Sequence, residues 1–344
     1  MIDNIFIEVK YNHAPFGDEV TVDKKSSKQK AVYQKPVYVQ GEFPGCPLKV
    51  QSIGNGKFIR VQGSFSLFLQ GHNSFGSNRL FSLCHKAITV AFTELNIPIR
   101  RSLKAAIRKA KLFEIDCSGS IKLSSNRQVG AAILQIGRSC LSAKNTIRVF
   151  RNETIYVNEK KRRRRIMFYD KQKQWEAKRE KYPALNRLPH IDKVDRYVEN
   201  VIRVEARFGS VKLKEIGLAR VSDWKVETVR RLMVESLTEL KLRGNITTSN
   251  ERDIIEKLAD ADQIRFYAVQ ARPEIIEKMP KRTAARLRHN CRNIGLNVDL
   301  PFKDSPQVAE LAQLLDAEKL RMSFPRWARR ANAVAGYAAS RRGN

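Results

Sequence analysis

The chain has no Cys-x-x-Cys pair. Its five cysteines (Cys46, Cys84, Cys117, Cys140 and Cys291) are odd in number and widely spaced. That excludes a disulfide scaffold and a zinc finger and fits reduced thiols in a cytoplasm. No stretch approaches the roughly eighteen apolar residues of a membrane span. Asp3, Glu8, Asp18 and Glu19 interrupt the start of the chain, so no signal peptide is expected. There is no GxxxxGK[ST] loop, which argues against NTP-driven translocation. A His-hydrophobic-His metal motif, an internal repeat and a long low-complexity linker are missing too. Acid is scarce: 35 Asp and Glu face 65 Lys and Arg, a net charge of +30 over 344 residues. Such an excess points to a polyanionic partner, nucleic acid before an anionic membrane surface.

The length suggests two or three domains. The first 210 residues mix strands and helices and the remainder is mostly helix, which makes an α+β fold with a C-terminal helical unit from about residue 211. Residues 12–56, rich in Gly, Pro, Ser and Lys, read as loops with short strands. Residues 58–69 read as a strand or hairpin. Ile88, Ala91, Phe92 and Leu95 share a helical face. The stretch 112–122 suggests a strand, a Ser-Gly turn and a second strand. Ser125 can cap a helix reaching about Ala143, and strands are expected near 146–157 and 164–170. In VIRVEARF (201–208), Ile202, Val204, Ala206 and Phe208 face one way and Arg203, Glu205 and Arg207 the other, the period of a half-buried strand. Further helices are expected from Ser222 to Gly244, over 283–295, and after Ser305-Pro306.

Three of these strands carry unusual polar residues. Glu114 and Asp116 share a face in LFEID, as do Tyr169 and Lys171 in RIMFYDK. If the strands are neighbours, carboxylates, a tyrosine, a lysine and two arginines meet on one sheet face. Oxygen ligands of that kind suit Mg²⁺ or Mn²⁺, and arginines there could hold phosphate oxygens. The bland reading is an exposed face with cross-strand ion pairs. EKKRRRR (159–165) brings Arg162, Arg163, Arg164 and Arg165 to the Tyr169 strand, as phosphate contacts or as a solvated basic hairpin. In FLQGHNSFG (68–76), Gln70, His72 and Asn73 lie between glycines. His72 either ligates a metal or pins a turn, and the amides either hold DNA or hold backbone.

Taken in order, MID (1–3), FLQGHNSFG, EID (114–116), NETIYVNEKKRRRRIMFYDK (152–171), VIRVEARF with KEIGL, and RTAARLRHNCRNIGL (282–296) resemble the gene-two-protein family, the rolling-circle replication initiators of filamentous phages. The resemblance implies an antiparallel-sheet nickase domain over 1–210 and a DNA-binding helical region over 211–344. It puts the nucleophile on Tyr169 beside Lys171, and the family's acidic positions on Asp116 and Glu205. The chemistry makes these two metal ligands, with His72 and Glu114 as further candidates. Gln70, Asn73, Arg162–Arg165, Arg203 and Arg207 are candidate DNA contacts. Position 114, usually basic in the family, is Glu114 here.

The implied reaction is nicking and religation of one strand through a 5′-phosphotyrosine, with Mg²⁺ or Mn²⁺ as cofactor. The implied partners are phage or plasmid origin DNA, single- and double-stranded, with host helicase and polymerase, in the bacterial cytoplasm. Tyr156 is the candidate second tyrosine. The alternative is a non-catalytic origin or single-stranded DNA-binding protein, for which basic charge and stacking aromatics suffice. An integrase-type recombinase would need a C-terminal tyrosine in an Arg-His-Arg setting, and AVAGYAAS around Tyr337 is a poor match.

Overall fold

The computed structural model describes residues 1–23, 30–123, 126–140, 146–150, 153–159, 163–240, 255–294, 296–299 and 319–330. Among these are eleven strands: β1 (Ile2–Lys10), β2 (Glu19–Asp23), β3 (Lys30–Gln34), β4 (Val37–Val39), β5 (Leu48–Ile53), β6 (Phe58–Ser64), β7 (Lys111–Lys122), β8 (Ile147–Phe150), β9 (Thr154–Val157), β10 (Arg164–Asp170) and β11 (Val201–Gly209). Nine form one sheet in the order β4-β5-β6-β1-β7-β11-β10-β9-β8, and β2 and β3 form a separate pair. Each of these pairings is antiparallel.

The sheet is apolar on one face because its strands alternate. Ile5, Ile7 and Val9 of β1, Ile115, Cys117 and Ile121 of β7, and Val204, Ala206 and Phe208 of β11 belong to one buried core. Helices Leu80–Glu94, Asn126–Ser139 and Thr228–Glu239 place apolar stripes in that core, among them Ile88, Ala91 and Phe92 as the spacing predicts. Burying such side chains stabilises by about 1.5–3 kcal/mol each before conformational entropy is counted.

Five expectations meet differences. Residues 58–69 are a strand followed by a short helix, α1 (Phe65–Gln70). Ser64 caps it by accepting from the Leu67 amide, and Gly71 ends it in the left-handed region at φ 75°. Residues 111–122 form one unbroken strand, not a hairpin. Gly119 makes no turn: a Cβ there would lie 2.9 Å from Leu320 Cδ2, so the glycine admits the crossing segment 319–322. The 146–157 stretch is a hairpin of two short strands, β8 and β9. The helix expected from Ser222 starts at Thr228, with Ser222 in a 3-10 turn and Val226 exposed. The expected boundary at residue 210 falls inside the main core, which runs on through Leu213, Val221, Met233 and Leu240 and includes Leu320 and Met322. A separate apolar cluster holds residues 255–298, where Ala284, Leu287 and Cys291 line the buried side of the basic helix Lys281–Asn293. Ser125, Arg162, Gly244, Gly295, the 305–315 helix and Tyr337 lie outside the described residues.

Candidate active site on the polar sheet face

The other face of the sheet is polar where β7, β11 and β10 meet. Register fixes this: Arg203 pairs with Ser120, Glu205 with Ser118 and Arg207 with Asp116 on β7. On the opposite side Tyr169 pairs with Arg203, Met167 with Glu205 and Arg165 with Arg207. With a period of two, Asp116, Ser118, Ser120, Arg203, Glu205, Arg207, Arg165 and Tyr169 all fall on this face.

The Tyr169 hydroxyl donates to Glu205 Oε1 at 2.7 Å. Burial, and then the Glu205 charge, push that hydroxyl well above its ordinary value of 10, so the resting tyrosine is protonated. Burial, and then Asp3, raise the Glu205 carboxyl as well, making it a better proton acceptor than a solvated glutamate. Glu205 is also 3.5 Å from Arg203.

Asp116 receives two bonds of 2.6 Å from Arg207, a bidentate pair. Burial nonetheless pushes its carboxyl up to about 7, against the pull of Arg207. Arg207 further contacts Glu114 at 3.0 Å, and Glu114 receives Arg165 at 3.3 Å. Asp116, Glu205, Arg165, Arg207, Tyr156 and Glu159 line a cleft of about 260 Å³. Tyr169 does not itself line it but reaches it through Glu205.

Strand β10 ends at Asp170, which caps α2 (Lys171–Lys181) by accepting from the Lys173 amide at 3.1 Å. Lys171 is therefore helical, yet it stays beside the site. Its Nζ lies 5.9 Å from the centre of the Tyr169 ring and donates to Asn73 Oδ1 at 2.6 Å and Gln174 Oε1 at 2.8 Å. Burial, with Arg203 nearby, pulls this amine down to about 7.

Several candidates stand elsewhere. Arg203 is 0% exposed; its guanidinium donates to Ser118, Ser120 and the Ser74 carbonyl and lies 3.6 Å from Asp3. It cannot meet DNA in this arrangement and instead ties the sheet to the 72–77 loop. His72 packs edge-on against Phe75 and Trp175, and its Nδ1 lies 3.4 Å from the Ser74 amide. Burial pulls it down to about 3, so it is neutral. Gln70 donates to the carbonyls of His72 and Phe75 at 2.9 and 2.6 Å. These two side chains hold a turn, whereas Asn73 bridges Lys171 and Asp3, donating to the latter at 2.7 Å. In the basic run, Arg163 pairs with Glu215 at 2.7 Å and Arg164 with Glu239 on the helical side.

Asp3, part of the MID segment, is given no site role by the sequence although it holds Ser64, Asn73 and Arg203. A signal was present. The Asp3-Asn4 doublet breaks the alternation of β1, and the pairing with β7 shifts register between Ile2 and Ile5. No cluster of three or more His, Cys, Asp or Glu fit for a metal converges among the described residues. No described helix is long and apolar enough to cross a membrane. All five cysteines are free and buried.

The chain has recognisable relatives. It is 21% identical over 311 residues to the replication-associated gene-two protein of Enterobacteria phage I2-2, covering 89% of this chain and 87% of that protein. A solved rolling-circle replication initiator protein from Geobacillus stearothermophilus matches 74% of this chain and 89% of its own, at 13% identity and a TM-score of 0.31. Residues 1–227 match the family described as the N-terminal part of the replication-associated gene-two protein. With roughly two thirds of its length covered by that match, the chain belongs to the replication-associated gene-two-protein family.

Proposed function

We propose that this protein nicks and religates one DNA strand at a replication origin, starting rolling-circle replication, with Tyr169 as nucleophile. The observation that carries the reading is the Tyr169–Glu205 hydrogen bond of 2.7 Å at the edge of a cleft shared by Asp116, Arg165 and Arg207. A surface ion-pair network has no need of a buried tyrosine set on a carboxylate.

Tyr169 Oη attacks the phosphorus and its proton passes to Glu205. The bond from phosphorus to the 3′ oxygen breaks, and that oxygen leaves with the bonding pair and takes a proton from solvent. The product is a 5′-phosphotyrosine with a free 3′ hydroxyl, which primes synthesis. Reversal by a 3′ hydroxyl closes the strand and returns the proton to Tyr169. The phosphodiester energy is conserved in the link, so religation requires no nucleotide.

Arg165, partly exposed on the cleft, is placed to hold a phosphate oxygen. Arg207 holds Asp116 in one orientation. Arg203 and Asp3 position Glu205, and Asn73 fixes Lys171 near the tyrosine ring. His72 and Gln70 shape the loop that supplies Asn73.

A divalent cation fits this donor set. Asp116 and Glu205 are hard oxygen donors on one cleft, and the Glu205 charge raises the affinity of Asp116 for positive charge. Mg²⁺ commonly takes one or two carboxylates, filling its remaining positions with water and substrate phosphate. When bound, such an ion supplies charge stabilisation to the phosphoryl oxygens. Tyr156 lines the cleft directly and is the candidate second nucleophile. Host helicase and polymerase are the expected partners for extending the freed 3′ end.

The test is incubation of supercoiled origin DNA with protein and Mg²⁺, followed by a denaturing gel. A covalent adduct mapped to Tyr169 supports the reading. Tight binding with no adduct and no nick at any Mg²⁺ or Mn²⁺ concentration supports the binding-protein alternative.

A further inference from the structure

A second cavity, of about 670 Å³, opens beside the far end of β7. Tyr197, Phe324 and Trp327 supply aromatic surface to it, and Arg230, Arg321 and Arg326 supply positive charge. Among the described residues no carboxylate lines it.

Its wall is built into the fold. Arg321 exchanges backbone hydrogen bonds of 3.0 and 2.8 Å with Ser120, next to β7 beyond its pairing with β1. Leu320 and Met322 on either side are buried in the main core. This alternation turns the Arg321 side chain to the polar face, where its guanidinium lies 6.0 Å from the Tyr197 ring. Phe75 holds Tyr197, Phe324 and Trp327 edge-on at centroid distances of 5.4, 5.7 and 5.4 Å. Lys193 sits 5.8 Å from Trp327.

The cavity is linked to the candidate active site. Tyr169, Arg203, Ser120 and Arg321 are successive cross-strand neighbours. Three strand spacings of roughly 4.8 Å separate Arg321 from Tyr169, about 14 Å. That equals about four stacked nucleotides at 3.4 Å each. The 71–79 loop faces both places: Asn73 and Ser74 bind the Tyr169 side, and Phe75 and Asn78 the cavity.

Aromatic rings interleaved with arginines, free of acid, are the chemistry that binds unpaired bases. Duplex DNA offers phosphates but hides its ring faces. We propose that this cavity binds unpaired bases of single-stranded DNA a few nucleotides from the scissile phosphate, so that the origin is held melted over Tyr169. The choice of ligand rests on the nicking reading; the cavity itself does not depend on Tyr169 chemistry.

The experiment uses the full chain carrying Tyr169→Phe, so that binding is read without cleavage. Its tryptophan fluorescence is titrated with a short oligothymidylate and, separately, with a hairpin duplex of equal charge. Oligothymidylate should quench emission, and the quench should shrink in Trp327→Tyr with affinity kept. Trp327→Ala should weaken single-strand binding roughly tenfold, the loss of one stacked base. Arg321→Ala with Arg326→Ala, on exposed side chains, should weaken it and flatten its salt dependence by about two contacts. Duplex affinity should change little in every variant. Equal losses for duplex and single strand would overturn the proposal, as would oligothymidylate binding unchanged in both the Trp327→Ala and the double arginine variant. A protein that never nicks origin DNA yet shows the Trp327-dependent quench would refute the nicking reading and leave the cavity assigned.

Discussion

Glu205→Gln tests the proton path directly. The substitution keeps size and an oxygen that can accept from Tyr169, and removes the basicity. Losing a positioned general base typically slows a reaction by about 10²–10⁴-fold, or about 3–5 kcal/mol of barrier. Stability should move far less. Arg203 loses one counter-charge, and breaking a buried pair outright costs about 3–5 kcal/mol. It keeps Asp3 at 3.6 Å and donates to Ser118, Ser120 and the Ser74 carbonyl. A buried carboxylate is exchanged for an amide that has no charge to desolvate, so the net loss should be about 1–2 kcal/mol, a few degrees in Tm. The sign with pH follows from the raised Glu205 carboxyl. Wild type loses that group's contribution as pH rises through its folded value, and the variant does not, so the gap should narrow in alkali. The assay is single-turnover nicking of labelled origin DNA alongside thermal unfolding across pH. Nicking within about tenfold of wild type would refute Glu205 as the proton acceptor.

Tyr169→Phe should fold and bind origin DNA but form no adduct on a denaturing gel; an adduct of wild-type intensity would shift attention to Tyr156. Asp116→Asn should lose nicking at ordinary Mg²⁺, with partial return in excess Mn²⁺ if its carboxylate holds the cation. Because the Asp116 carboxyl lies at about 7, nicking should fall as pH drops below that value, and Arg207→Gln should move the limb upward by removing the charge that opposes burial. The same raised value means that Asp116 favours the folded state in acid, a contribution lost as pH rises through about 7. His72→Ala should lower Tm by several degrees, through the cavity left against Phe75 and Trp175, with residual nicking; abolished nicking at unchanged Tm would restore His72 to the reaction. Replacing Arg162–Arg165 by alanine should flatten the salt slope of DNA binding by no more than about two units, at roughly 0.9 per contact. Arg163 and Arg164 are already committed to Glu215 and Glu239.

Alternation made the central strands legible. In VIRVEARF it separates Glu205 from the core side, and the register of β11 with β7 and β10 then converts that into a shared polar face. Periodicity cannot show which strands are neighbours: Asp116 and Arg207 meet across 91 positions of sequence. Gly119 read as a turn because a glycine admitting a crossing segment and a glycine bending a hairpin look alike in one sequence. His72 looked chemical because a neutral histidine packed on aromatics has the same neighbours in sequence as an exposed one. The aromatic cavity went unseen for a similar reason: Tyr197, Phe324 and Trp327 come from separate segments and are collected by Phe75.

The strand order also sets which segment completes the site. Asp116 on β7 and Tyr169 on β10 belong to one sheet only through β11, Val201–Gly209, which lies between the two strands and carries Glu205. Without β11, β7 and β10 would each have an unpaired edge and Tyr169 would lack the Glu205 carboxylate that accepts from it. On the proposed reading, a chain truncated before Val201 carries Tyr169 without its proton acceptor Glu205 and does not nick DNA.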